Sequence, residues 1–368
     1  MSPLEMSSTV MAKAAPAASS SSSAFVTSIT ARPGLAIQTL AIMTTATVLI
    51  PRLVRKCVEA VDDDVAMPRR WLYRFLWTFA FVVNLISVSI DGRFDSESTR
   101  TAASSRKDKE GTILTFTPVF APAGWAFAIW GVIYLGEMLL TAFTALPFEG
   151  YTSFLKDATP YWVGANMFQS LWCACFRYKF KKILWLPSMC LAAGAFCQAR
   201  CLYMIMGTID VPAYTAIETA REVVDYLTHF PLVSLSRFVA AFPIALHAGW
   251  LMAAALLNVN SWMTESGASL GQNVAMAFFS TYLAAALGAF VSIKTGNPFV
   301  MATIAWALAA VASNTKNNDK VQAAKLDAST KEALFFTEKL VSNALLAAAP
   351  VLSFAAQPLV QSIQEQIF

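Results

Sequence analysis

The sequence predicts an all-α membrane protein, a polytopic bundle whose helices cross the bilayer several times. Of its 368 residues, 57% are hydrophobic and 14% are charged, whereas soluble domains carry about 25% charged residues. The mean hydropathy is +0.53. The apolar residues form several runs that reach the roughly 20 residues needed to cross a bilayer as a helix. These observations exclude a soluble protein.

The composition also limits the partners and the chemistry. The net charge of +4 is a mild excess that suits membrane topology and contact with lipid headgroups. No basic patch is interleaved with aromatic residues, so nucleic-acid binding is not predicted. The six cysteines fall mostly in or beside apolar runs, which favours packing positions over a disulfide framework or a zinc site. We find no catalytic motif and predict no catalytic residue and no metal ligand set.

Residues 1–70 are predicted to form a targeting or disordered N-terminal region that contains one short apolar segment. Residues 1–33 are rich in Ala, Ser and Thr and include a run of serines at 19–23, a composition typical of organelle-targeting segments and of disordered tails. The apolar run at 35–50 is short for a membrane span. A leader segment, a remnant of processing and a marginal first helix all remain open for it.

Seven runs beyond residue 70 are predicted to span the membrane. The second begins at a proline, which a helix tolerates in its first turn. The third and fourth are joined so closely that they must form an antiparallel hairpin. The predicted spans are residues 71–90, 122–146, 161–180, 183–209, 238–258, 270–293 and 298–312.

Two further segments are less apolar. Residues 210–230 mix five charged residues with apolar ones, which predicts an amphipathic helix at the membrane surface. The chain beyond residue 316 is polar and rich in lysine, and residues 331–356 are amphipathic to apolar. That last segment is either an eighth span or a helix that lies on the surface.

Aromatic side chains cluster at the beginning of the second span. Trp125, Phe127, Trp130 and Tyr134 wind around the first turns of this helix, and their flat faces suit a planar aromatic ligand. An interfacial aromatic belt combined with ordinary packing explains the same pattern.

Polar residues inside the spans are the other candidates. Asn166 and Asn258 must find partners within hydrocarbon, so we expect them to face the bundle interior and bond another helix or a ligand. Arg200, late in the fourth span, either binds an acidic group such as a porphyrin propionate or extends to the headgroups. His247 either ligates haem iron or bonds a propionate, or it bonds a neighbouring helix.

Three segments resemble the TspO/MBR family, the tryptophan-rich sensory proteins related to the translocator protein. The stretch PAGWAFAIWGVIY at 122–134 is similar to that family's loop-to-helix signature, NMFQSLWCACFRYK at 166–179 to its third helix, and FPIALHAGWLMAAALLNVNSW at 242–262 to its fifth. IAWALAAVA at 304–312 resembles the last helix of longer members. The chain departs from the family at Pro122-Ala123, where a Pro-Pro pair is common, and at His247, where many longer members have Tyr.

The resemblance implies a five-helix core at 71–262, appended transmembrane helices at 263–315, and a polar linker with a C-terminal helix at 316–368. It also implies a pocket near the first loop for tetrapyrroles such as haem and protoporphyrin, or for sterol-like lipids. The pocket residues carried over from the resemblance are Trp125, Phe127, Trp130, Tyr134, Asn166, Trp172, Trp250 and Asn258.

The function expected from this resemblance is ligand binding for sensing, transport or scavenging. Two alternatives stay open: a structural or assembly subunit of an organelle membrane complex, and an enzyme that degrades porphyrin with the help of a reactive tryptophan. Enzymatic activity is the less favoured of these. The expected partners are membrane lipid, a hydrophobic planar small molecule and a second copy of the chain in a homodimer. The expected location is a plastid, mitochondrial or other endomembrane.

Overall fold

The computed structural model describes residues 33–60, 69–93, 118–146, 154–177, 180, 183–208, 220–317 and 326–355. Within these ranges the chain forms nine α-helices and a short 3₁₀ helix at Gly124–Ala128, and it forms no β-strand. The all-α prediction is therefore confirmed. The helices are α1 Pro33–Glu59, α2 Arg69–Ser89, α3 Ile129–Ala145, α4 Leu155–Cys175, α5 Trp185–Thr208, α6 Ala220–Glu265, α7 Leu270–Thr295, α8 Phe299–Asn317 and α9 Ala328–Ala355.

Helix α7 shows how local sequence sets the bounds of a span. Ser269 accepts a hydrogen bond from the backbone N–H of Gln272, and the Gln272 side chain accepts one from the backbone N–H of Ser269. This capping box satisfies two N–H groups that a helix leaves unpaired at its beginning. Gly296 ends the helix with a left-handed φ of 63°, which a residue without a Cβ adopts at no steric cost.

Seven helical segments in the described part of the chain are long and apolar enough to cross a membrane, by length and composition. They include 328–353 in α9, so the C-terminal segment has the composition of a span. Helix α1 does not qualify, and neither does α4, which covers most of the predicted third span. Helix α4 carries Asp157, Pro160 and buried amides and lies among other helices, where its neighbours replace lipid as its surroundings.

The described part of the segment predicted as an interfacial helix, residues 220–230, is helical but is not a separate element. Residues 220–230 are the first turns of α6, which continues without a break into the predicted fifth span and reaches Glu265. Pro231 lies between the two segments, and the helix continues through it, although proline in a helix interior usually kinks or breaks the helix. The remaining residues of this prediction lie outside the described ranges.

The centre of the bundle is the α4–α5 hairpin. These two helices pack against each other, as the short connection predicts, and α4 also packs on α2 while α5 packs on α6. Trp162 of α4 stacks on Trp77 of α2 with ring centroids 4.5 Å apart, and its indole N–H donates to the Trp77 carbonyl at 2.9 Å. Because both rings are fully buried, this pair fixes α2 against α4.

Helix α8 holds the loop that precedes α3. The Ala123 N–H donates to the Ala310 carbonyl at 2.9 Å, and the Asn314 amide donates to the Ala121 carbonyl at 2.9 Å. The Trp306 indole donates to the Ala126 carbonyl at 3.2 Å. Three bonds from one helix therefore fix the position of the loop and of the 3₁₀ helix that follows it.

Candidate functional site

A cavity of about 330 Å³ lies where α2 ends, α3 begins and α4 ends. This volume falls at the lower end of the roughly 300–1,000 Å³ that small-molecule pockets occupy. We call it the aromatic cavity, since four of its seven lining residues carry aromatic rings. Its lining residues are Val88, Arg93, Gly124, Phe127, Trp130, Tyr134 and Trp172.

The aromatic walls support one another. Trp130 and Tyr134 stack in parallel with ring centroids 5.3 Å apart, as one turn of α3 allows. Trp250 of α6 lies behind this wall and meets Phe127 edge to face at 5.6 Å and Trp130 at 6.1 Å. Such contacts fix the orientation of the rings. The flat apolar faces of the cavity are therefore preformed before a ligand binds.

One cation lies in the cavity wall. Arg93 lies four residues after the end of α2. Its guanidinium is 5.5 Å from the ring centroid of Trp172 and donates to the Val88 carbonyl. The buried indole N–H of Trp172 has no acceptor among the described residues. A positive charge and an unpaired donor on aromatic walls favour a flat ligand that carries an acidic group.

Two buried side-chain amides form a hydrogen-bonded series that ends at the Tyr134 hydroxyl in the cavity wall. The Asn84 amide of α2 donates to Gln169 of α4 at 2.8 Å, and the Gln169 amide donates to the Tyr134 hydroxyl at 2.9 Å. These bonds connect three helices through groups that hydrocarbon would leave unsatisfied. They hold the Tyr134 hydroxyl in place at the cavity wall.

A buried acid–base cluster lies against the wall formed by Trp130 and Tyr134. His247 Nδ1 of α6 is 2.6 Å from Glu137 Oε1 of α3. The Gln198 amide nitrogen of α5 lies 3.2 Å from both of these atoms. All three side chains are at most 1% exposed. We call the first two residues the Glu137–His247 pair.

The outer atoms of this cluster are unpaired. His247 Nε2, Glu137 Oε2 and Gln198 Oε1 are buried and have no hydrogen-bond partner among the described residues. The His247 ring meets Trp130 edge to face at 5.6 Å and Tyr134 at 6.4 Å. The cluster therefore lies one aromatic layer away from the cavity and keeps unused capacity to bind protons or polar groups.

The remaining residues predicted for the site lie elsewhere. Trp125 is 46% exposed and packs edge to face on Trp306 at 4.7 Å, outside the cavity lining. The Arg200 guanidinium lies over the rings of Tyr161 and Tyr203, 5.4 and 5.2 Å from their centroids, and does not reach the cavity wall.

The two predicted asparagines are buried, and neither bonds another helix among the described residues. The Asn166 amide donates to the Trp162 carbonyl of its own helix and the Asn258 amide to the Ala254 carbonyl, both at 2.9 Å. Their side-chain oxygens have no partner among the described residues. A residue four positions earlier in the same helix offers a carbonyl to a short polar side chain at little cost, and this local bond replaces the interhelical one.

Sequence reasoning missed Arg93, Glu137, Gln169 and Asn84. A signal existed for Glu137, because a carboxylate within an apolar span is a functional hypothesis by default. No signal joined Glu137 to His247, which is 110 positions away. Among the described residues, no group of three or more His, Cys, Asp or Glu side chains is placed to hold a metal ion.

Comparison with known proteins gives one match. A family model described as TSPO-like protein matches residues 70–337, which is more than half of the chain and covers every residue of the cavity and of the acid–base cluster. No curated protein and no solved structure matches the chain.

Proposed function

The chain belongs to the TSPO-like protein family and is an integral membrane protein, and we propose that it binds a flat, largely apolar ligand with an acidic group in the aromatic cavity. Tetrapyrroles such as protoporphyrin and haem are the ligand class with this chemistry. The observation that carries the proposal is a cavity with aromatic walls and one guanidinium, that of Arg93.

The charge in the wall separates tetrapyrroles from sterol-like lipids. A sterol has a single hydroxyl group and gains little from a guanidinium. A propionate gains a charge-assisted hydrogen bond, which contributes about 1.5–3 kcal/mol. Trp172 supports this choice, since its indole N–H is a second donor beside Arg93. The proposed role of such binding is sensing, transport or scavenging of the ligand.

The proposed location is an organelle membrane. It is supported by residues 1–33, whose Ala, Ser and Thr content is typical of plastid or mitochondrial targeting segments. These residues lie outside the described ranges, so the support comes from composition. Porphyrin synthesis and use in such organelles would supply a ligand of the proposed class.

The test is a titration of the purified chain in lipid nanodiscs with protoporphyrin IX and with its dimethyl ester, followed by tryptophan quenching and the Soret band. The ester keeps the planar ring and lacks the carboxylates. We expect Arg93→Gln to weaken binding of the acid roughly tenfold or more and to leave binding of the ester nearly unchanged. Arg200→Gln is the matched control, because its guanidinium lies on tyrosines away from the cavity.

A second pair of variants tests the walls. Trp130→Ala removes a ring that lines the cavity, whereas Trp125→Ala removes one that packs outside it on Trp306. We expect loss of affinity for both porphyrins in the first variant and near-normal affinity in the second. Flat titrations in folded wild-type protein, or equal losses in the two tryptophan variants, would sink the proposed function.

A further inference from the structure

The Glu137–His247 pair is built to share a proton. The 2.6 Å between His247 Nδ1 and Glu137 Oε1 is short even for a charge-assisted bond, so one proton lies between these atoms whichever of them formally carries it. The amide of Gln198 donates to the same Glu137 oxygen at 3.2 Å and fixes the carboxyl group. The next proton must bind at one of the two outer atoms, His247 Nε2 or Glu137 Oε2, and neither has a partner among the described residues.

Besides His247, two titratable groups among the described residues interact electrostatically with Glu137. They are Tyr134 on its own helix and Cys201 on α5, and both are neutral in their ordinary state. Arg93 interacts with Tyr134 from the far side of the aromatic wall. Because a buried net charge is unfavourable without a partner, any charge that enters the aromatic cavity changes which protonation state of the pair is favoured.

We propose that Glu137, His247 and Gln198 form a proton-binding site beneath the aromatic cavity, and that an anionic ligand in the cavity raises the affinity of the Glu137–His247 pair for one further proton. The direction of the coupling does not depend on the charge of the pair in the empty protein. An anion on the other side of Trp130 and Tyr134 always favours the state with one more proton. The coupling, though not the proton site itself, rests on the proposed function.

The coupling is reciprocal. If the anion strengthens proton binding, a proton on the pair strengthens anion binding by the same factor. The protein would then hold an acidic porphyrin more tightly on the acidic side of the pair's titration and release it on the basic side. The ligand's charge acts on the pair electrostatically across Tyr134 and Trp130, since no hydrogen bond among the described residues joins the cavity to His247 Nε2.

The sequence makes the measurement direct, because it contains only two histidines, His229 and His247. In a His229→Gln chain labelled with ¹⁵N-histidine and placed in nanodiscs, the only two imidazole signals are Nδ1 and Nε2 of His247. Each shows by its chemical shift whether it carries a proton. The titration would be recorded for the empty protein, with protoporphyrin IX and with its dimethyl ester.

We expect His247 Nε2 to change protonation within the range where the protein stays folded. Bound protoporphyrin IX should move the midpoint upward by about one pH unit, a roughly tenfold gain in proton affinity, whereas the neutral ester should leave it in place. Glu137→Gln, which keeps the volume but cannot ionise, should lower the midpoint, because it removes the acid that favours a proton on the His247 ring. Glu338→Gln is the matched control, since Glu338 of α9 is equally buried and accepts a hydrogen bond from Thr315 of α8.

Three results would overturn the proposal. The first is a His247 ring that keeps one protonation state throughout, with and without ligand. The second is an identical titration in Glu137→Gln and wild type, and the third is an equal shift with the acid and the ester. If neither porphyrin binds, the proposed function and the coupling both fall, and the titration of the empty protein still decides whether the proton site exists.

Discussion

Replacing Gly136 by alanine tests how α3 is held against α6. A Cβ at Gly136 would lie 2.7 Å from the Cβ of Pro243, whereas carbon atoms pack best at about 3.5–4.0 Å. The helices must therefore separate locally by about 1 Å, and the proline ring cannot rotate away. Overpacking of this kind costs about 1–3 kcal/mol, offset by up to about 1 kcal/mol of helix propensity.

Gly131 supplies the matched control within the same helix. A Cβ at Gly131 would have no atom within 4 Å, so Gly131→Ala keeps the gain in propensity without the clash. We expect the free energies of unfolding of the two variants to differ by about 1–3 kcal/mol, with Gly136→Ala the less stable. Reversible unfolding of the chain in mixed detergent micelles, followed by circular dichroism, measures this difference.

The clash should also disturb the acid–base cluster. Gly136 precedes Glu137, and Pro243 lies one turn before His247 on α6, so separation of the helices lengthens the bond between them. Gly136→Ala should therefore alter the His247 titration, and Gly131→Ala should not. Equal stability and equal titration of the two variants would refute the packing of α3 on α6 described above.

Two further predictions concern the ends of helices. Trp306→Phe removes the indole bond to the Ala126 carbonyl, which should cost about 0.5–1.5 kcal/mol and make Trp125 more accessible to a soluble quencher. Unchanged quenching would show that the Trp306 bond does not fix the loop. Asp327 caps α9, outside the span, and bonds from Ser329 and Thr330 hold the pKa of its carboxyl below the ordinary 3.8. The bonds stabilise the helix end fully above pH 3.8 and progressively less as pH falls from there towards the lowered pKa, so the protection of the Thr330 amide from hydrogen exchange should fall below pH 3.8 in wild type and should already be weak at neutral pH in Asp327→Ala.

Hydropathy predicted the spans because a bilayer imposes one strong requirement on every helix that crosses it. The predicted spans 71–90 and 270–293 match α2 and α7 within two residues. Hydropathy was less informative where helices contact protein instead of lipid, and α4 is the example. Its composition falls short of a span although it lies at the centre of the bundle.

The site was predictable only where its residues are close in sequence. Trp130 and Tyr134 stand one helical turn apart, so their shared face follows from helix geometry. Arg93 and Trp172 are 79 positions apart in the sequence, and Glu137 and His247 are 110 positions apart. Pairings of this kind depend on how the helices pack, and the pattern of a single segment carries no information about it.

The energetics of the Glu137–His247 pair argue that it is not there for stability. Buried ion pairs can often be replaced by apolar residues of similar volume with no loss, or with a gain of about 1–4 kcal/mol. Apolar side chains would also satisfy the packing of α3, α5 and α6 without leaving three buried polar atoms unpaired. A chain that keeps an acid, a base and an amide at this point, one aromatic layer from a cavity with a cation in its wall, keeps them for a property that apolar residues lack. Reversible proton binding is that property, and the fully buried Glu338, which bonds Thr315 far along the chain from the cavity residues, is the carboxyl against which it can be judged.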